Sequence, residues 1–228
     1  MGWRAMPVTF CFRLLRPRST RGISWPMTLP RRLQGLVFDL DGTLVDSAPD
    51  LRAALNRVLA EAERPPLPLA AIVPMIGDGA FNLVKRGFSA TGDAPNDAGL
   101  VPWVERFLRL YEAAAAVETR PYPGVVDTLA RLRRRGLRLA VCTNKPQAAS
   151  EALLRSLDLA RYFEAVVGGD VVPAQKPDPG HVRAALARLR IEPDAAVMIG
   201  DSPNDVAAGR GAGLNAICLS CGYSRVPP

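Results

Sequence analysis

Leu36-Val37-Phe38-Asp39-Leu40-Asp41-Gly42-Thr43 is the stretch on which the reading of this chain turns. Its three leading apolar residues show no polar alternation, as expected of a strand buried on both faces. The strand delivers two carboxylates at spacing two, so Asp39 and Asp41 project to one side of its C-terminal end. In an open α/β sheet that end is where ligands bind. Two carboxylates this close repel, and one is driven towards protonation unless a cation neutralises them. An all-oxygen donor set of this kind suits Mg²⁺.

Working outward, further short apolar runs lie at 137–142, 165–167, 195–199 and 216–219. Helical patterns separate them at 125–135, closed by Gly136 as a C-cap, and at 147–157, 179–190 and 203–212. Strand, helix, strand repeated in this way predicts an α/β fold built on a doubly wound parallel sheet, Rossmann-like in plan. One interval breaks the rhythm, since about eighty residues after the first strand show no strand pattern. Leu51, Leu55, Val58 and Leu59 mark an amphipathic helix there, with Ser47 and Asp50 offering a capping box at its start. Val104, Phe107, Leu108 and Tyr111 mark a second helix, and shorter pieces surround Ile72 and Leu83. An inserted helical cap subdomain is therefore expected over 47–121, with the α/β core at 33–46 and 122–228. The Pro-rich stretch 65–68 reads as a helix linker, and Pro121 and Pro123 return the chain to the core in extended form.

Composition narrows the partners. The formal charge of +7 suggests an anionic polymer, but seven arginines and no acid fall in the first 32 residues, and the remaining 22 basic residues meet 22 acidic ones. With no sustained basic stripe, nucleic acid is not an expected partner. Nor is a membrane, because no segment approaches the roughly 20 apolar residues needed to cross one. The leader 1–32 admits two readings: an organelle transit segment, or an upstream extension with Met27 as the working first residue, which is favoured. Four cysteines make no disulfide framework, and Cys218-x-x-Cys221 lacks the further ligands zinc requires, so two strand-end or buried thiols and a reducing, cytoplasmic setting are expected. Oligomeric state is left open.

A second acidic pair follows the fourth core strand, in Ile199-Gly200-Asp201-Ser202-Pro203-Asn204-Asp205. Asp201 sits at the strand end. Asp205 falls in the first turn of the next helix, where it also serves the helix dipole. Among 29 basic residues only Lys85, Lys145 and Lys176 are lysines. A chain that otherwise writes arginine keeps lysine where a compact ammonium is wanted. Lys176 precedes a helix in Gln175-Lys176-Pro177-Asp178-Pro179, and Lys145 follows Thr143-Asn144 at a strand end.

Taken in order, DLDGT, TN, KP and GDSPND resemble the four signature motifs of the haloacid dehalogenase superfamily, over about residues 35–222. The resemblance implies that Asp39 attacks phosphorus and becomes an aspartyl phosphate, and that Asp41 serves as acid and then base. Thr143 and Asn144 would hold the transferring phosphoryl group, and Lys176 would balance its charge. Mg²⁺ would be held by the Asp39 side chain, the Asp41 backbone carbonyl and Asp201, with Asp205 in support. A second carboxylate at spacing two favours phosphoryl transfer over carbon–halogen cleavage, because a leaving alcohol needs a proton. A cap after the first motif would close over a small molecule and exclude water, with Gly77 and Gly79 giving its loop mobility.

The stretches Ile76-Gly77-Asp78-Gly79-Ala80, Tyr122-Pro123-Gly124-Val125 and Gly168-Gly169-Asp170 resemble bacterial phosphoglycolate phosphatases. By that resemblance Arg86, with Lys85, would reach a substrate carboxylate from the cap, a small phosphorylated metabolite would be the partner, and 2-phosphoglycolate the ester. Sugar-phosphate and nucleotide phosphatases and a phosphomutase share the architecture and stand as alternatives. Such relatives continue past Gly222-Tyr223 with a further segment, whereas this sequence ends at Pro228, so some uncovered core surface is expected there.

Overall fold

The structure, a computed structural model, describes residues 33–114 and 116–223. The basic leader and the end of the sequence lie outside the described residues. In chain order the elements are β1 (Gly35–Phe38), β2 (Val45–Asp46), α1 (Ala48–Glu61), α2 (Leu69–Ile72), α3 (Gly79–Ala90), α4 (Asp97–Ala113), β3 (Arg120–Pro121) and α5 (Val125–Arg134). They continue with β4 (Arg138–Cys142), α6 (Gln147–Ser156), β5 (Ala165–Val167), α7 (Pro179–Leu189), β6 (Ala196–Gly200), α8 (Pro203–Gly211) and β7 (Asn215–Cys218).

Five strands make one parallel sheet in the order β5-β4-β1-β6-β7. β1 lies at its centre, with Leu36 opposite Leu139 of β4 and Val37 opposite Met198 of β6, and all four of its residues are buried. That double burial is why its sequence is apolar without alternation. Side chains leave the strands on alternate faces. Val37, Ala140 and Met198 join Val182, Leu186 and Ala208 of α7 and α8 on one side; Leu36, Phe38, Leu139, Val141 and Ile199 join Leu129 and Leu153 of α5 and α6 on the other. After β5 the chain crosses to the far side of β1 to build β6 and β7. The order reverses beside β1, and a crevice opens at the carboxyl ends of such strands. The sheet is thus the doubly wound α/β arrangement read from the sequence.

The interval between β1 and β4 builds a second apolar cluster. Leu55 and Leu59 of α1, Phe88 of α3, and Leu100, Phe107 and Tyr111 of α4 are buried together. Ring pairs reinforce it, Phe88 with Trp103 at 5.5 Å and Phe107 with Tyr111 at 6.1 Å between centroids. Among the described residues, no helix is long and apolar enough to cross a membrane.

Where the chain enters and leaves this helical unit the structure departs from expectation. Val45 pairs with Pro121 and Asp46 with Arg120 in a two-residue antiparallel ribbon, β2 with β3. A strand of two residues carries no periodicity, so sequence pattern could not reveal it. The capping box of Ser47 with Asp50 does not form. Ser47 is the N-cap of α1, but its hydroxyl makes no cap bond and donates instead to Asp41 Oδ1 at 2.6 Å. The helix start is served from the far end of the chain: the Tyr223 hydroxyl accepts from the backbone N–H groups of Ser47 (2.7 Å) and Ala48 (2.9 Å) and donates to Asp46 (2.6 Å). Asp50 turns the other way, accepting from the backbone N–H of Glu118 and of Thr119 and from the Thr119 hydroxyl, at 2.9, 2.9 and 2.6 Å.

Asp50→Ala would strand those donors where Asp50 and Thr119 are both buried. The expected loss is about 2–4 kcal/mol of unfolding free energy, read from urea titration. A loss below about 0.5 kcal/mol, the scale of an ordinary surface substitution, would contradict this role.

Candidate active site

The site forms where β1, β4 and β6 end. Asp39 N–H still donates to Ile199 O at 2.9 Å, so Asp39 continues the line of β1 against β6. The chain then turns at Gly42, whose φ is +87°; a Cβ there would lie 2.6 Å from Asp201 Oδ2, so only glycine fits. Thr43 Oγ1 donates to Asp201 Oδ1 at 2.9 Å, and the Tyr223 N–H donates to Asp201 Oδ2 at 2.7 Å. These bonds fix a β6 carboxylate beside the β1 pair.

Lys176 ties the loops together. Its ammonium donates to Asp39 Oδ1 (2.8 Å), to the Cys142 carbonyl (2.7 Å) and to Asp205 Oδ1 (2.6 Å). Asp205 in turn accepts from the Ser202 N–H and hydroxyl through Oδ2, closing a capping box at the start of α8. Asp205 therefore carries both roles its sequence position suggested, helix cap and site carboxylate. Asp41 turns towards Lys145, whose ammonium donates to both of its oxygens at 3.2 and 3.0 Å.

Three expected substrate contacts are placed differently. Asn144 spends its side chain as a brace: both N–H donors are taken, one by the Lys176 carbonyl (2.9 Å) and one by the Gly77 carbonyl (3.0 Å), while its oxygen accepts the Lys176 N–H (3.0 Å). Its side chain holds Lys176 and the cap loop, while Asn144 still lines the cavity over Asp39. Lys85 is largely exposed and pairs with Asp97 at 2.8 Å. Arg86 donates to the Met75 carbonyl at 2.8 Å and pairs with Asp78, bracing the loop before α3. Neither lines the cavity over Asp39, because each has found an acceptor on the cap itself. Thr143 does line that cavity, and its hydroxyl accepts the Lys145 N–H at 3.3 Å.

Charge is the site's governing feature. Asp39, Asp201 and Asp205 are buried and bring carboxylate oxygens within 4.8 Å of one another. Asp41 is nearby, and against these four carboxylates stand two buried ammonium groups, Lys145 and Lys176. Burial pushes the Asp39 carboxyl up to about 8, with Asp205 and Asp201 adding to the rise and Lys176 opposing it. Burial also raises Asp201, to about 6. Burial works against the charge on Lys176, but Asp205 and Asp39 outweigh it and hold that ammonium above the ordinary lysine range. Four acidic side chains against two ammonium groups leave hard oxygen donors that the lysines do not balance, which is what a divalent cation such as Mg²⁺ takes up, so the residues present fit one.

Above this floor lies a cavity of about 40 Å³. Its cap side is apolar, formed by Leu51, Ile76, Leu83, Phe107 and Leu108, with Tyr111 among them. The loop crossing onto the core passes through Gly77, whose φ of +113° places its carbonyl on Asn144. Asn204 of the core donates to Asp78 of the cap at 2.7 Å.

Residues 33–213 match the family model of the haloacid dehalogenase-like hydrolases. The chain belongs to that family. Among relatives of this hydrolase, a phosphoglycolate phosphatase of Caulobacter vibrioides is 49% identical over 193 residues, covering 84% of this chain and 81% of the relative. One from Rhodospirillum rubrum is 46% identical over 198 residues, covering 85% and 82%. Among solved structures, a predicted phosphoglycolate phosphatase from Haemophilus somnus superposes with a TM-score of 0.78 at 29% identity, covering 86% of this chain and 89% of that one. CbbY from Rhodobacter sphaeroides, in complex with phosphate, gives 0.75 at 28% identity, covering 86% and 90%. The hydrolase is accordingly a phosphatase, acting on phosphoric monoesters.

His181 is a site residue that sequence reading passed over. Its Nδ1 accepts the Lys176 N–H at 3.3 Å, and its Nε2 lies 3.1 Å from the Val167 carbonyl. Burial lowers its pKa from 6.5 to about 4, with the Lys176 charge adding to the fall. His181 in the native phosphatase thus refuses a proton that the unfolded chain accepts, so its contribution to stability falls as pH drops from about 6.5 towards 4, while the raised Asp39 and Asp201 carboxyls act in the opposite sense over the same window. The His181 part is therefore read as the difference in urea unfolding between the native chain and His181→Gln, which should change by on the order of 3 kcal/mol across that window. An identical slope in the variant would contradict it.

Proposed function

We propose that this phosphatase cleaves 2-phosphoglycolate to glycolate and inorganic phosphate through a phosphorylated Asp39. The observation that carries the reading is the convergence of Asp39, Asp41, Thr143 and Lys145 on one narrow cavity, with Lys176 on Asp39 behind them. The names of the relatives supply the ester, and the size of the cavity agrees with a small one.

Asp39 Oδ1 is held by Lys176, which leaves the second carboxylate oxygen as the nucleophile. It attacks phosphorus as the bond from phosphorus to the glycolate oxygen breaks, and the departing oxygen takes a proton from the Asp41 carboxyl group. Asp41, now a carboxylate, takes a proton from water as the water oxygen attacks phosphorus. The bond to Asp39 breaks, phosphate leaves, and both aspartates return to their starting forms. Ser47 and Lys145 aim Asp41 through these transfers, and the Thr143 hydroxyl and the Lys176 charge serve the phosphoryl oxygens. The Asp39 side chain, the Asp41 backbone carbonyl and Asp201, with Asp205 in support, would hold Mg²⁺, which when bound supplies positive charge to the equatorial oxygens.

Phosphate release from 2-phosphoglycolate should require Mg²⁺ and cease on chelation. Asp39→Asn should abolish turnover, and Asp41→Asn should lower kcat by roughly 10²–10⁴-fold. Turnover retained by Asp39→Asn, or undiminished by chelation, would contradict the mechanism.

A further inference from the structure

The cap wall of the cavity contains one polar atom that its surroundings do not answer. The Tyr111 hydroxyl is buried and, although the Lys145 ammonium stands beside it, its proton finds no hydrogen-bond acceptor among the described residues. An unpaired buried hydroxyl is costly, and phenylalanine would fill the same space without that cost. The ring itself is well placed, stacked on Phe107 within the apolar cluster of the cap. Packing therefore accounts for the ring and leaves the hydroxyl unexplained.

Its position supplies the explanation. Tyr111 lines the cavity that reaches Asp39 and Asp41, and the Lys145 ammonium lies 4.3 Å from its ring centre. Leu51, Leu83, Phe107 and Leu108 make up the wall around it and offer nothing polar to a bound molecule. Lys85 and Arg86, the cap cations that could have met an anionic group, pair with Asp97 and Asp78 instead. A substrate whose phosphoryl group sits on Asp39 must put its other end against this wall. If that end is a carboxylate, burying it there without a donor would be prohibitive.

We infer that the Tyr111 hydroxyl donates a hydrogen bond to the carboxylate of the bound substrate, with the Lys145 ammonium as the adjacent positive charge, and that this contact selects phosphorylated hydroxy acids over plain phosphate esters. The inference rests on the reading of the site as a 2-phosphoglycolate phosphatase. It explains why a tyrosine stands where packing asks only for a phenylalanine: the hydroxyl proton has no acceptor on the cavity wall and gains one from the substrate carboxylate.

The test is Tyr111→Phe, assayed in Mg²⁺ for three quantities: KM for 2-phosphoglycolate, competitive inhibition by inorganic phosphate, which fills the phosphoryl site and has no carboxylate, and the thermal midpoint. KM should rise roughly 10- to 100-fold, as for a lost hydrogen bond to a charged group, while the phosphate inhibition constant stays within about twofold. The midpoint should hold or rise, because the variant no longer buries an unpaired hydroxyl. An unshifted KM overturns the inference and leaves the proposed function standing. So does a rise in KM matched by an equal rise in the phosphate constant, with or without a lowered midpoint, since that marks a structural role. No turnover of 2-phosphoglycolate by the native chain removes the functional reading and this inference together.

Discussion

Four acidic side chains gathered around two ammonium groups, all but Asp41 buried, are the constraint on which the rest of this molecule depends. Like charges held this close are costly to bury, and the raised pKa values of Asp39 and Asp201 express that cost. The surrounding structure is organised to sustain it. Gly42 makes room for Asp201, Thr43 and the Tyr223 backbone orient that carboxylate, and the first turn of α8 shares Asp205 with Lys176. An arrangement kept at such expense is more readily understood as a reactive centre than as a stabilising one.

The helical unit after β1 shapes what the centre can accept. Its apolar wall narrows the cavity, and it is joined to the core both by hydrogen bonds, Asn144 to Gly77, Asn204 to Asp78 and the Tyr223 hydroxyl at the start of α1, and by Ala149 and Tyr223 packed into its apolar cluster. Tyr223 touches both systems, holding Asp201 through its N–H and the entry of α1 through its hydroxyl. The position of the cap and the orientation of a site carboxylate are thereby joined in one residue.

How much of this was legible in sequence follows from the range of each interaction. β1 could be read because a strand buried on both faces leaves an unbroken apolar run. Asp39, Asp41, Asp201 and Asp205 could be read because strand ends and first turns fix where such residues point. The ribbon of Val45 and Asp46 with Arg120 and Pro121 could not, being too short for any period. Tyr111 falls at a helical core spacing, where the pattern counts its ring and is silent about its hydroxyl. Tyr223 acts on Ser47 across the full length of the fold, and no local signal marks such a contact. Asn144, Lys85 and Arg86 show the opposite hazard: residue types suited to binding an anion were already engaged, by the Lys176 backbone, by Asp97 and by Asp78.

The central claim is that buried charge at this site is left unbalanced for a divalent cation to complete. It is tested most directly by the thermal midpoint of the native chain and of Asp201→Asn across a Mg²⁺ titration. A ligand at a hundred times its dissociation constant stabilises by about 2.7 kcal/mol, which for a chain of this size is a rise of roughly 5–10 °C. The expected result is that rise in the native chain and little or none in Asp201→Asn. A native midpoint indifferent to Mg²⁺, or an equal rise in the variant, would contradict the claim.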